Sequence, residues 1–184
     1  MWITMKITLL RFPTTDDWIL CRRAALVTAG RDTEKEPSFA MKCNLLNAEH
    51  SPIRMLRFAF HLEGVPYYVS NHLVRHYVGC TPCVRSQRND RQNVYDRNAA
   101  RQDAPVDMIW ELNAQSLINI AHKRLCGMAD PATRRIVTEI CDLAKAVCPE
   151  FKFFLIPECE YRGGLCHEIR GCGRCPKAER PWEN

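Results

Sequence analysis

The stretch from Met55 to His61 constrains this chain most, because its side chains alternate between two chemical characters. Leu56, Phe58 and Phe60 fall on one side of an extended backbone and Met55, Arg57, Ala59 and His61 on the other, the pattern of a strand with one buried face. Gly64 and Pro66 follow as breakers. Val65 to Val78 is a passage from strand or loop into helix, which periodicity leaves open. Within it, His72-Leu73-Val74-Arg75-His76 gathers two imidazoles and a guanidinium into five residues. An arginine offers a planar fork of donors to a phosphate, and a histidine can donate to phosphate or to a ring carbonyl at neutral pH. The plainer reading of the same stretch is a basic end of a surface strand.

Helical signals surround this strand. Asp16-Asp17 can cap a helix running through Trp18, Ile19, Leu20, Ala24, Ala25 and Val27 that stops at Gly30, and Phe39 to Leu46 reads as a second helix before the His50-Ser51-Pro52 break. From Met108 to Leu125 the residues Trp110, Leu117, Ile118, Ala121 and Leu125 form one apolar arc. That pattern predicts a single helix with Asn113 and Arg124 along one edge, facing a cleft. Asp130-Pro131 opens another helix, whose buried stripe is Ile136, Val137, Ile140, Leu143, Ala144 and Val147. An early strand at Lys6–Leu10 completes an α+β pattern, an antiparallel or mixed sheet packed with helices. The polar segment from Arg85 to Asp107 reads as a loop or a solvated helix, exposed beyond Asn89.

With 184 residues, the chain suits one domain over residues 1–156 and a Gly-, Cys- and charge-rich tail over residues 157–184. An apolar fraction of 46% argues against wholesale disorder, and 26 basic against 21 acidic residues suit an anionic small ligand better than a groove-tracking nucleic-acid surface. The N-terminus lacks a signal-peptide pattern, and no window reaches the roughly 20 apolar residues of a membrane span, so a cytoplasmic protein is expected. Eleven cysteines, an odd number, fit reduced thiols better than a secreted disulfide framework. Cys80-x2-Cys83 and Cys172-x2-Cys175 each have the spacing of a zinc knuckle, and together they can make one four-thiolate site. An alternative set is Cys159, Cys166, Cys172 and Cys175, with His167 as a substitute ligand. Cys21, Cys43, Cys126, Cys141 and Cys148 read as small buried hydrophobes.

Several of these segments resemble, in order and approximate spacing, the flavin-dependent thymidylate synthases, the ThyX family. An aromatic strand leads into Glu63-Gly64-Val65, then into His72-Leu73-Val74-Arg75-His76 where the family has Gln-Leu-x-Arg-His-Arg. Ser51-Pro52 stands upstream, Ser86-Gln87-Arg88 downstream, and Asn113-Ala114-Gln115-Ser116-Leu117-Ile118-Asn119 with Arg124 is similar to the family's Asn-Ala-Arg-Ser-Leu-x-Asn helix with its terminal arginine. The resemblance covers Met5 to about Phe154. It implies a ThyX-like fold, a homotetramer, FAD as cofactor, and reductive methylation of dUMP to dTMP with methylenetetrahydrofolate as carbon donor and NADPH as reductant. It implies further that Ser51, Arg75, His76, Asn113 and Asn119 face the flavin, that His72, Ser86, Arg88 and Arg124 face the nucleotide, and that Arg124 is catalytic. No cysteine nucleophile is implied. Departures fall on ligand-contacting positions: His72 replaces Gln, Tyr77 replaces Arg, Gln115 replaces Arg, and Cys80-Thr81-Pro82-Cys83 stands where the family has an Asn-Glu pair. They leave open a different pyrimidine nucleotide as substrate, or a non-catalytic, zinc-containing nucleotide- or nucleic-acid-binding protein on the same fold.

Overall fold

A computed structural model describes residues 5–88, 96 and 98–180. Much of the polar segment after Asn89, including Arg91 and Arg97, lies outside the described residues. The first strand, β1 (Lys6–Arg11), leads into α1 (Thr15–Val27). Thr14 caps that helix, its hydroxyl accepting from the Asp17 N–H while the Asp17 carboxylate accepts from the Thr14 N–H. The Asp16-Asp17 cap expected from sequence is thus displaced to Thr14, with Asp17 as the reciprocal partner three residues on. Next come α2 (Phe39–Asn47), capped by Ser38, and a 3₁₀ turn (Ser51–Met55).

Strand β2 (Arg57–Pro66) runs further than its breakers suggest. Gly64 adopts φ 69°, its N–H donates to the Asp107 carboxylate at 2.9 Å, and the pairing register shifts between Leu62 and Val65. The glycine therefore makes a bulge, and the strand continues past it. Helix α3 (Tyr67–Val74) follows, then β3 (Cys80–Val84), β4 (Pro105–Asn113), α4 (Ala114–Arg124) and α5 (Pro131–Val147). A second 3₁₀ turn (Pro149–Phe153) and the one-turn α6 (Glu158–Tyr161) lead into the tail.

The single helix expected over Met108–Leu125 is instead a strand joined to a helix at Asn113. Val106, Met108, Trp110 and Leu112 are buried at every second position, a period-2 run that the isolated Trp110 disguised as part of a helical arc. Asn113 is where the backbone turns. Its side-chain oxygen accepts from the Ser116 N–H, its own N–H donates to the Gly79 carbonyl, and the Ala114 N–H donates to the Leu56 carbonyl.

The four strands form one antiparallel sheet in the order β1-β2-β4-β3. Phe58 faces Leu112, Phe60 faces Trp110 and Leu62 faces Met108 across the central pair, so six large side chains line one face. Helices α4 and α5 contribute Leu117, Ile118, Ala121, Ile136, Val137 and Ile140 to the same core, and Phe151 meets Phe58 edge-on with ring centroids 5.2 Å apart. The opposite sheet face, with Arg57, Ala59, His61, Ile109 and Glu111, stays accessible. Among the described residues, no helix is long and apolar enough to cross a membrane.

Candidate anion-binding corner

Helix α3 ends at Arg75, and its last turn delivers His72, Arg75 and His76 to one corner of the molecule. The terminal carbonyls of a helix favour cations, so this is a consistent place for a basic cluster. The end of α4 arrives at the same corner. Arg124 Nε donates to His76 Nε2 at 2.9 Å, and Arg124 Nη2 donates to the His72 carbonyl at 3.4 Å. An arginine cannot accept, so His76 Nε2 must carry a lone pair and its proton must sit on Nδ1. Burial, and after it the neighbouring Arg124 cation, hold the His76 imidazole below its ordinary pKa. Burial, and then the nearby Arg75 cation, likewise lower Arg124, which stays charged because a guanidinium is not deprotonated in proteins. Among the described residues, neither Arg75 nor Arg124 forms an ion pair with a carboxylate. Two guanidiniums left together in this way attract an anion.

His72 is oriented from α5. Its Nδ1 lies 2.9 Å from the Thr133 hydroxyl, which itself donates to Asp130 Oδ1 at 2.9 Å. A hydroxyl has one proton to give, so His72 Nδ1–H is the donor and His72 Nε2 is left as the acceptor. Tyr68 meets the His72 ring edge-on at 5.9 Å. Asp130 and Thr133 were legible only as a helix start. Their role in steering an imidazole 61 residues away leaves no local signal.

The structure thus brings together His72, Arg75, His76 and Arg124. It places the other expected contacts elsewhere in the chain. Asn113 is buried as the cap of α4, with its amide nitrogen against Gly79, and eleven residues of helix, about 16 Å at the rise per residue, separate it from Arg124. Asn119 is exposed and accepts from Gln115 Nε2 at 3.3 Å. Ser51 is exposed at the start of its 3₁₀ turn, and Ser86, whose hydroxyl accepts from the Arg88 N–H at 3.3 Å, follows β3 together with Arg88.

A second polar group escaped the sequence reading. Glu49, at φ 45°, accepts from Gln115 Nε2 at 2.7 Å and from the Tyr161 hydroxyl at 3.0 Å, and the buried His122 ring lies 4.2 Å from that tyrosine. These contacts tie α4 to α6. A concavity of about 670 Å3 beside Phe12, Trp18, Pro37 and Lys42 is not at the basic corner. Its one ammonium group is paired with Glu36 at 3.0 Å, so we place the anion chemistry at the corner and not there.

The two cysteine pairs are also kept apart. Cys80 and Cys83 lie on β3, where residues three apart point to opposite faces, so the pair cannot pinch one ion as a knuckle turn would. Cys80 faces Ser116 near the start of α4, while Cys172 packs against Gly127 beyond its end. Among the described residues, no group of three or more His, Cys, Asp or Glu side chains is already arranged to hold a metal ion.

Two expected outcomes follow from this geometry. Asn113→Ala removes the cap of α4 and should cost about 0.5–2 kcal/mol of unfolding free energy, measured by urea titration. For His76, a folded-state pKa below the unfolded value means that the unfolded chain binds the proton more readily. Stability should therefore be full above the unfolded imidazole pKa of about 6.5 and fall as pH drops below it toward the folded value. His76→Gln should flatten that part of the pH profile of the melting temperature, leaving a residual slope from His122, which burial also lowers. Compared with models of known protein families and with curated proteins, the chain matches none.

Proposed function

We propose that this chain is a flavin-dependent enzyme of the thymidylate synthase type, which binds a pyrimidine deoxynucleotide at the corner where α3 and α4 end and methylates dUMP to dTMP. The observation that carries the reading is the contact of Arg124 with His76 and with the His72 carbonyl, beside Arg75. Those four residues come from the two segments whose wording is similar to the ThyX motifs, and they meet in space although 48 residues separate His76 from Arg124.

The corner fits FAD in part. Two guanidiniums suit a pyrophosphate or the carbonyl edge of a ring, the accepting Nε2 of His72 suits a ring N–H, and Arg75, His76 and Arg124 would hold the oxygen-bearing groups. Asn113 has only its amide nitrogen to offer such a ligand, because its Oδ1 is committed to the helix cap. When bound, the flavin supplies the hydride chemistry. The chain's own residues bind and orient. His72, fixed by Thr133, presents Nε2, and Arg124 places a delocalised cation where negative charge develops on the pyrimidine carbonyls as C5 becomes nucleophilic. In this reading methylenetetrahydrofolate would be the carbon donor and NADPH the source of reducing equivalents.

The capped Asn113 and the missing Asn-Glu pair favour a second reading, a nucleotide- or nucleic-acid-binding protein without flavin. A substrate other than dUMP is the nearer variant of the first. Release of tritium from dUMP labelled at C5, in the presence of FAD, NADPH and methylenetetrahydrofolate, tests the proposal, since methylation at C5 must expel that hydrogen. No release from dUMP but release from another pyrimidine nucleotide would reassign the substrate. No release from any of them, with salt-sensitive oligonucleotide binding, would replace the proposal with the binding reading.

A further inference from the structure

Eight of the eleven free cysteines fall into two populations. Cys21, Cys141 and Cys148 are buried in the hydrophobic core, where desolvation pushes each thiol up to about 12, and they act as small apolar side chains. Cys126, Cys159, Cys166, Cys172 and Cys175 instead line one cavity of about 20 Å3 just beyond the end of α4, beside His167. That volume accommodates about one water-sized particle. Three further observations place the sulfurs near one another. Cys172 Sγ lies 3.0 Å from where a Cβ on Gly127 would stand, so it rests on the residue after Cys126. Cys166 Sγ lies 3.4 Å from the corresponding point on Gly171, and the Cys175 thiol is near enough to Cys159 to help raise its pKa, after burial.

The tail that carries most of these sulfurs is held by polar bonds, such as those from Lys177 Nζ to the Ile169 carbonyl and from Arg180 Nη2 to the Glu168 carbonyl, with little apolar burial. Of its described residues, 157–180, only Pro157 and Cys166 are buried. Its backbone is closed by one bridge between Cys166 and Lys177 and turned by Gly163, Gly164 and Gly173 at positive φ. A segment without an apolar stripe needs another source of ordering free energy. Gly173, at φ 82°, makes the turn between Cys172 and Cys175 that lets two thiolates face one ion.

We propose that four of these five thiols hold a single zinc-type ion as a tetrahedral thiolate site, joining the end of α4 to the tail. Soft thiolates select zinc among the common divalent ions. Zinc–sulfur bonds of about 2.3 Å set the sulfurs roughly 3.8 Å apart, so the ion draws the loosely gathered thiols inward by side-chain rotation, releasing their protons to solvent. Cys126 lies two residues beyond Arg124, which makes the site a fastener for the helix end that carries the basic corner. It replaces the Cys80/Cys83/Cys172/Cys175 clamp, whose halves the fold separates.

The test is the metal content of the full chain purified under reducing conditions with zinc supplied. About one equivalent of zinc per chain is expected, and cobalt substitution should give the intense visible bands of a tetrahedral thiolate complex. The double variant Cys159→Ser/Cys172→Ser leaves three thiols whichever four are used and should lose the metal, whereas Cys80→Ser/Cys83→Ser should retain it. Should the tail variant fail to fold, alkylation of the folded parent decides: Cys83 should react at once, and the tail thiols only after chelation. Metal-free parent protein, metal lost with Cys80 and Cys83, an iron–sulfur chromophore, or tail thiols that alkylate equally with and without chelator would each overturn the proposal.

Discussion

Replacing Arg124 with alanine should lower dUMP turnover by roughly 10²–10³-fold, the loss typical of removing one preorganised donor from developing negative charge. The fold should survive. Arg124 is only partly buried, and its two hydrogen bonds to His76 and to the His72 carbonyl lie at the surface end of α4, so the stability change should stay near 1–2 kcal/mol. Arg124→Lys keeps the charge but not the planar fork, and should recover only part of the rate. The expected signature is a fall in kcat with circular dichroism and oligomeric state unchanged. A variant that converts dUMP at the parent rate removes Arg124 from the chemistry.

The second large effect is structural. Gly79 has φ 70°, and a Cβ there would stand 2.3 Å from Asn113 Nδ2 and 2.5 Å from Ser116 Oγ. Asn113 is held by the capping bond that its Oδ1 accepts from the Ser116 N–H, and the Ser116 hydroxyl donates to the Val78 carbonyl at 2.6 Å, so neither can move aside without breaking the start of α4. Left-handed backbone strain of about 1–2 kcal/mol adds to loss of the cap, which together give about 2–4 kcal/mol for Gly79→Ala. In a chain of this size that lowers the melting temperature by roughly 5–15 °C. Gly163 is the control, with φ 69° and nothing within 4 Å of its missing Cβ. Gly163→Ala should show the backbone strain alone, and equal costs at the two positions would contradict the packing described around Asn113.

Particular residues show where sequence reading carries and where it stops. The alternation through Leu56, Phe58 and Phe60 located β2, and Asp130-Pro131 located the start of α5, because a half-buried strand and a capped helix each leave a local period or a local stop sign. Trp110 misled for the same reason. A single large residue fits both a helical arc and a two-residue alternation, and of the decisive neighbours Val106 lies upstream of the window that looks helical and Met108 only opens it. The Arg75-His76 half of the corner was visible as composition. Its meeting with Arg124 was suggested only by the resemblance, and the Thr133 bond to His72 by nothing in the sequence, since contacts between distant segments have no spacing to read. Cysteine spacing shows the limit most clearly. Cys80-x2-Cys83 and Cys172-x2-Cys175 are identical as patterns, yet one lies on a strand and the other around a glycine turn.

The account rests on the corner formed by His72, Arg75, His76 and Arg124 binding flavin and pyrimidine nucleotide together. The absorption spectrum of the purified chain with added FAD, followed through a titration with dUMP, addresses this directly. A bound flavin whose visible band shifts saturably with dUMP, with the shift lost in Arg124→Ala, is the predicted result. A flavin spectrum identical to that of free FAD at every dUMP concentration would contradict it.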